Sequence, residues 1–97
     1  MLDAIASIGS FKVKNYESFL ADEKTQDAVM YNLIILGEAA NSISEDFRLQ
    51  HPEIPWPSII GTRNIIVHGY NQVKLQIVWD ILERDLLLLE ENLRKLI

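Results

Sequence analysis

Pro52, Pro55 and Pro57 fall within six residues and divide the chain into two arms that no continuous helix can join. Each proline lacks an amide proton and its ring collides with the preceding turn, so a helix must stop before this cluster. Pro57 is placed to open the next helix, because an N–H in the first helical turn has no partner to lose. On both sides of the break the apolar residues recur at helical spacing. The sequence has no strand alternation, internal repeat or low-complexity tract.

In the first arm, Leu2, Ile5, Ile8, Phe11 and Val13 predict an amphipathic helix over residues 2–13, interrupted by Gly9. Asn15 is suited to cap a short helical turn carrying Tyr16, Phe19 and Leu20. From about Asp22 to about Ile43 the stripe Val29, Leu33, Leu36, Ala40, Ile43 predicts a long helix with one buried face. Gly37 inside it costs about 1 kcal/mol against alanine, which implies the close approach of a neighbouring helix.

Beyond the prolines, a short helix carries Ile59, Ile60, Ile65 and Ile66 and is expected to end near His68, with Gly69 as a left-handed cap. The last helix is expected from near Val73 to the C-terminus along Leu75, Val78, Leu82, Leu86, Leu89, Leu93 and Leu96. Trp79, Ile81, Leu87 and Leu88 widen its stripe beyond what one neighbour covers. The reading is all-α: one domain over residues 1–97, a small up-and-down helical bundle of three long helices plus short ones.

Composition narrows the functional classes. A 97-residue chain buries only a modest core, and with no cysteine it has neither disulfides nor a thiolate metal site, so oligomerisation is the expected extra source of stability. Two isolated histidines, His51 and His68, make poor metal-ligand arithmetic, and neither a metal nor a cofactor is expected. Apolar runs are broken well short of about 18 residues and Met1-Leu2-Asp3 has no basic leader, so the expected setting is the cytoplasm without a membrane partner. The net charge of −5 speaks against a generic coat for nucleic acid.

One stretch looks like chemistry. The chain has fourteen acidic residues, yet none lies between Glu53 and Asp80, where Arg63, His68 and Lys74 do. Asn64 and His68, four apart, share a helix face, whereas Arg63 and His68 diverge by about 140° on a regular helix. Arg63 and His68 therefore converge either through the long arginine reach or across a two-fold axis between two copies. A histidine titrating near neutrality can move the proton of a ribose 2′-hydroxyl or of a leaving oxygen. An arginine fork fits phosphate oxygens, and Asn64 can position the phosphate or the His68 ring. That set suits phosphodiester cleavage without a metal. The plainer alternative is that His68 and Tyr70 satisfy backbone groups at a helix end while Arg63 is solvated. Glu38, amid Ile34, Ile35, Leu36, Ala39 and Ala40, either faces solvent or is a buried partner for Arg63. Trp56 reads as an anchor for the proline loop, Trp79 as core or interface, and His51 as loop.

The run Arg63 to Tyr70 resembles the R-x4-H-x-Y signature of the HepT-type toxins of the HEPN superfamily. The resemblance extends to Asp22–Val29, Asn32-Leu33, Gly37–Ala40, His51–Trp56 and Ile59–Gly61, and so to most of residues 15–95. Members usually have a longer first helix than the one starting beside Met1 here. The resemblance implies a homodimeric, metal-independent endoribonuclease with Arg63 and His68 as its catalytic pair, Asn64 as an accessory polar residue and RNA as substrate. It further implies a toxin–antitoxin pair in which an MNT-type nucleotidyltransferase antitoxin silences the toxin by AMPylation of Tyr70. A second reading is a non-catalytic module that docks such a nucleotidyltransferase and presents Tyr70.

Overall fold

The computed structural model describes residues 1–96 and is all-helical over its regular elements. The chain runs through α1 (Leu2–Ser10), α2 (Tyr16–Ala21), α3 (Glu23–Ser42), α4 (Glu45–Gln50) and α5 (Trp56–Gly69). A 3₁₀ turn (Tyr70–Gln72) leads to α6 (Leu75–Asp80), which continues through a π-helical turn (Ile81–Asp85) into α7 (Leu86–Arg94). Ile97, the end of the expected last helix, lies outside the described residues.

The boundaries follow local chemistry. The Asn15 side chain accepts the Ser18 N–H at 2.8 Å, and Asp22 caps α3 by accepting the Thr25 N–H at 3.1 Å. The first helix ends at Ser10 rather than Val13, because Lys12 turns the chain through a φ of 52°. Trp56 is buried, and its indole N–H donates to the His51 carbonyl at 3.0 Å, which pins the proline loop to the start of α5. His51 itself lies in that loop, 3.1 Å from Glu53.

Two expectations at the far end of α5 need correction. Gly69 has a φ of −149°, so it is not a left-handed cap. The chain stays coiled through Tyr70–Gln72 instead, and the turn closes when the Val73 N–H donates to the Tyr70 carbonyl. The last helix begins at Leu75, not Val73, and contains the π turn. Val78 and Leu86 are eight residues apart and would diverge by about 80° on a regular α-helix. A π turn absorbs one residue, which brings them within about 20°, and both are buried.

The core lies where α3 packs on α1, α2 and α5, with α1 also touching α7. Phe19, Val29, Leu33, Leu36, Ala40, Ile54, Ile66, Val78, Leu86 and Leu89 are buried in it. Trp79 packs its ring 5.7 Å from Phe19 and 6.0 Å from Tyr16, tying α6 to α2. The tightest junction is α3 on α5. A Cβ on Gly37 would collide with Arg63 Cβ and lie 2.9 Å from Arg63 Cγ and 3.1 Å from the Ile59 carbonyl oxygen.

Gly37→Ala is therefore expected to destabilise the fold by about 2 kcal/mol, since overpacking outweighs the helix-propensity gain. Gly61, in the middle of α5, meets nothing within 4 Å, so Gly61→Ala is expected to stabilise by up to about 1 kcal/mol. Urea denaturation of the two variants checks both signs.

Candidate active site

The buried Trp56, Ile59 and Ile66 fix the rotation of α5, so its remaining positions are committed to other faces. Arg63 starts directly above Gly37 and sends its guanidinium along α3. Its Nη2 lies 3.5 Å from Glu38 Oε1, and its Nη1 donates to Asn64 Oδ1 at 2.8 Å. Its Nε is buried without a partner among the described residues. The ion pair is half in water, with Arg63 and Glu38 side chains 32% and 53% exposed, so it contributes about 1 kcal/mol or less. Glu38 therefore faces solvent and meets Arg63 from that side, rather than being a buried partner.

His68 lies five residues on, about 7.5 Å along the helix axis. It is exposed and makes no hydrogen bond or ion pair among the described residues. Arg63 and His68 are not joined within the chain. Asn64 is engaged by Arg63 rather than by the His68 ring.

Tyr70, on the 3₁₀ turn, donates its phenol O–H to Asp27 Oδ1 on α3. That hydrogen bond, helped by partial burial and by the charges of Asp27 and Glu23, pushes the phenol up to about 12. The sequence reading left Asp27 unassigned, because its partner is 43 positions away and no local spacing signals the pair. Asp27, Tyr31, Ile35 and Glu38 fall within about 80° of one another around α3. This stripe meets Tyr70 at one end and Arg63 at the other. The stretch that is free of acid in sequence is therefore supplied with two carboxylates in space.

Two concavities border these elements. One, of about 370 Å³, has an apolar floor of Leu33, Leu36, Ile59, Leu86 and Leu89. The other, of about 400 Å³, is an open polar groove lined by Glu23, Gln26, Asp27, Tyr70 and Asn71 among others. The lining of neither includes Arg63 or His68.

The chain is thus a small all-helical bundle with Arg63, His68 and Tyr70 at R-x4-H-x-Y spacing along α5 and its following turn. The family model described as "Ribonuclease HepT-like" matches residues 1–96, and the chain belongs to that HepT-like ribonuclease family. The chain is 40% identical over 81 residues to a "Probable ribonuclease HepT" of Thermococcus cleftensis, covering 84% of this chain and 74% of that protein. It is 38% identical over 66 residues to a "Putative RNase" of Methanocaldococcus jannaschii, covering 68% of this chain and 54% of that protein. No solved structure matches it significantly. As a member of a ribonuclease family the chain is an enzyme, with RNA as its substrate class.

The raised Tyr70 pKa carries a stability signature. The folded state holds this proton more tightly than a free tyrosine does, so its contribution is complete below pH 10 and is lost as pH rises towards about 12. Asp27→Asn is expected to lower the Tyr70 titration and to remove that alkaline loss. Ultraviolet tyrosinate titration, differenced against Tyr70→Phe, together with urea midpoints at alkaline pH, reads both effects.

Proposed function

We propose that the chain is a metal-independent endoribonuclease acting as a cytoplasmic homodimer, the toxin of a two-gene toxin–antitoxin pair. The observation that carries this reading is the placement of a half-buried Arg63 and an exposed His68 on one helix of a HepT-like bundle. In the proposed reaction, His68 takes the proton from a ribose 2′-hydroxyl as that oxygen attacks the adjacent phosphorus. Arg63 leaves the screened Glu38 carboxylate for the non-bridging oxygens and stabilises the charge that builds there. The bond to the 5′-oxygen breaks with its electron pair, that oxygen takes a proton from solvent, and a 2′,3′-cyclic phosphate remains. Histidine and arginine suffice for these steps, so no metal ion has a place in them.

The dimer reading rests on exposed apolar surface. Tyr31 and Ile35 on α3, and Ile65 and Val67 on α5, are exposed, and they flank the side chains proposed to react. A two-fold axis at this face would join two Arg63 and two His68 in one cleft, which a single chain lacks. The antitoxin in this reading is a nucleotidyltransferase that joins AMP to Tyr70, which is 41% exposed.

Purified protein is expected to cut RNA in EDTA and to leave cyclic phosphate ends. His68→Ala and Arg63→Ala are each expected to lower the rate at least about 100-fold. Failure of the wild type to cut would instead favour the non-catalytic nucleotidyltransferase-docking module. Sedimentation should show a dimer that Ile35→Glu with Val67→Glu dissociates, with cleavage lost in parallel.

A further inference from the structure

The phenol of Tyr70 does not wait free at the surface. Tyr70 lines the open groove of about 400 Å³, and its phenol proton is already directed at one carboxylate, Asp27 Oδ1. Asp27 sits in the second turn of α3, a twenty-residue helix anchored in the core, so this carboxylate is held by the most extensively packed element of the fold. The other polar groups of the groove are not in its place. Gln26 is occupied, its Nε2 donating to the Phe19 carbonyl at 2.8 Å and the Leu20 carbonyl at 3.1 Å. Glu23 lines the groove but makes no hydrogen bond to the phenol among the described residues.

We propose that Asp27 is the residue that positions Tyr70 for nucleotidyl transfer and takes its proton, holding the phenol oxygen at the groove while it attacks a nucleoside triphosphate. This rests on the reading that Tyr70 is the modified residue. In the step, the Tyr70 Oη–phosphorus bond forms at the α-phosphate and the bond to the β-phosphate oxygen breaks. Pyrophosphate leaves with the electron pair, and the phenol proton passes to Asp27 Oδ1 and then to solvent. A phenol is almost wholly protonated at neutral pH, and with its pKa pushed up to about 12 this one is more so. It therefore becomes a nucleophile only if the proton leaves as the new bond forms. A carboxylate already accepting that proton serves this purpose, as an aspartate does for the hydroxyl substrates of kinases.

The product differs from the substrate in kind. A modified Tyr70 has no O–H to donate, and it carries a phosphodiester anion beside Asp27 and Glu23. The tether between α3 and the Tyr70–Gln72 turn is thereby replaced by like-charge repulsion, two residues beyond His68.

The test incubates the full chain with its cognate nucleotidyltransferase and magnesium ATP and follows AMP addition at Tyr70 by mass, across a range of pH. Wild type is expected to be modified at a rate that varies little between pH 6 and 9. Asp27→Asn is expected to be slower by about 100-fold at neutral pH, with a rate that climbs with pH as hydroxide replaces the lost base. Asp27→Glu is expected to recover much of the rate. Equal rates for wild type and Asp27→Asn, or a deficit of the same size at every pH, would overturn the role of Asp27 while leaving Tyr70 as the target. No modification of wild type would overturn both.

Discussion

The site depends on how closely α3 and α5 approach at Gly37. A hydrogen in place of a side chain lets Arg63 Cβ and the Ile59 carbonyl settle against the α3 backbone. Because α3 also packs on α1 and α2, the depth of this one crossing fixes α5 relative to most of the core. It also decides which way Arg63 leaves its helix. From this junction the Arg63 side chain, its Nε still buried, reaches Glu38 with Nη2. The stabilising contact and the presentation of the cation are thus one event. A wider crossing would lose both.

Much of this was legible from local chemistry. The Asn15 cap, the start of α3 near Asp22, the Trp56 anchor and the reason for Gly37 each depend on a few neighbouring residues or on a single periodic face. What was not legible came from tertiary packing. The π turn exists because Val78 and Leu86 must both face the core, and a sequence stripe read at a constant 100° per residue cannot show where one residue is absorbed. Gly69 followed the same pattern. Glycine permits a left-handed cap, but here the chain continues into a 3₁₀ turn that brings Tyr70 to Asp27. Of the site, the Arg63–Glu38 partnership was one of two readings available in advance. The Tyr70–Asp27 partnership was not available at all, because it joins the start of α3 to the turn after α5, 43 positions on.

The charge of the chain acquires a structure of its own. A net charge of −5 and an acid-free stretch around α5 describe opposite tendencies in sequence, and folding reconciles them along one stripe of α3. Glu38 lies beside the cation and Asp27 beside the phenol, so Arg63 and Tyr70 are each met by a carboxylate from α3, whereas His68 is not. Arg63 and Tyr70 are thus each partnered, while the Arg63 Nε and the His68 ring have no partner among the described residues. Both partnerships are near water, and so neither is strong enough to lock the groups away.

That balance bears directly on how an acidic protein can act on a polyanion. A phosphate reaching Arg63 has to displace a carboxylate whose half-exposed pairing is worth about 1 kcal/mol or less, while it gains a bidentate, charge-assisted contact. The exchange favours the phosphate locally even though the field of the whole chain opposes its approach. Salt screens the long-range repulsion and the short-range attraction alike, but not equally, because the repulsion is spread over distances beyond about 8–10 Å and the contact is not. On the proposed reading, substrate capture by this chain therefore relies on contacts made after arrival rather than on steering. A second copy that doubles the cations at the Arg63 face strengthens those contacts without requiring the chain as a whole to become basic.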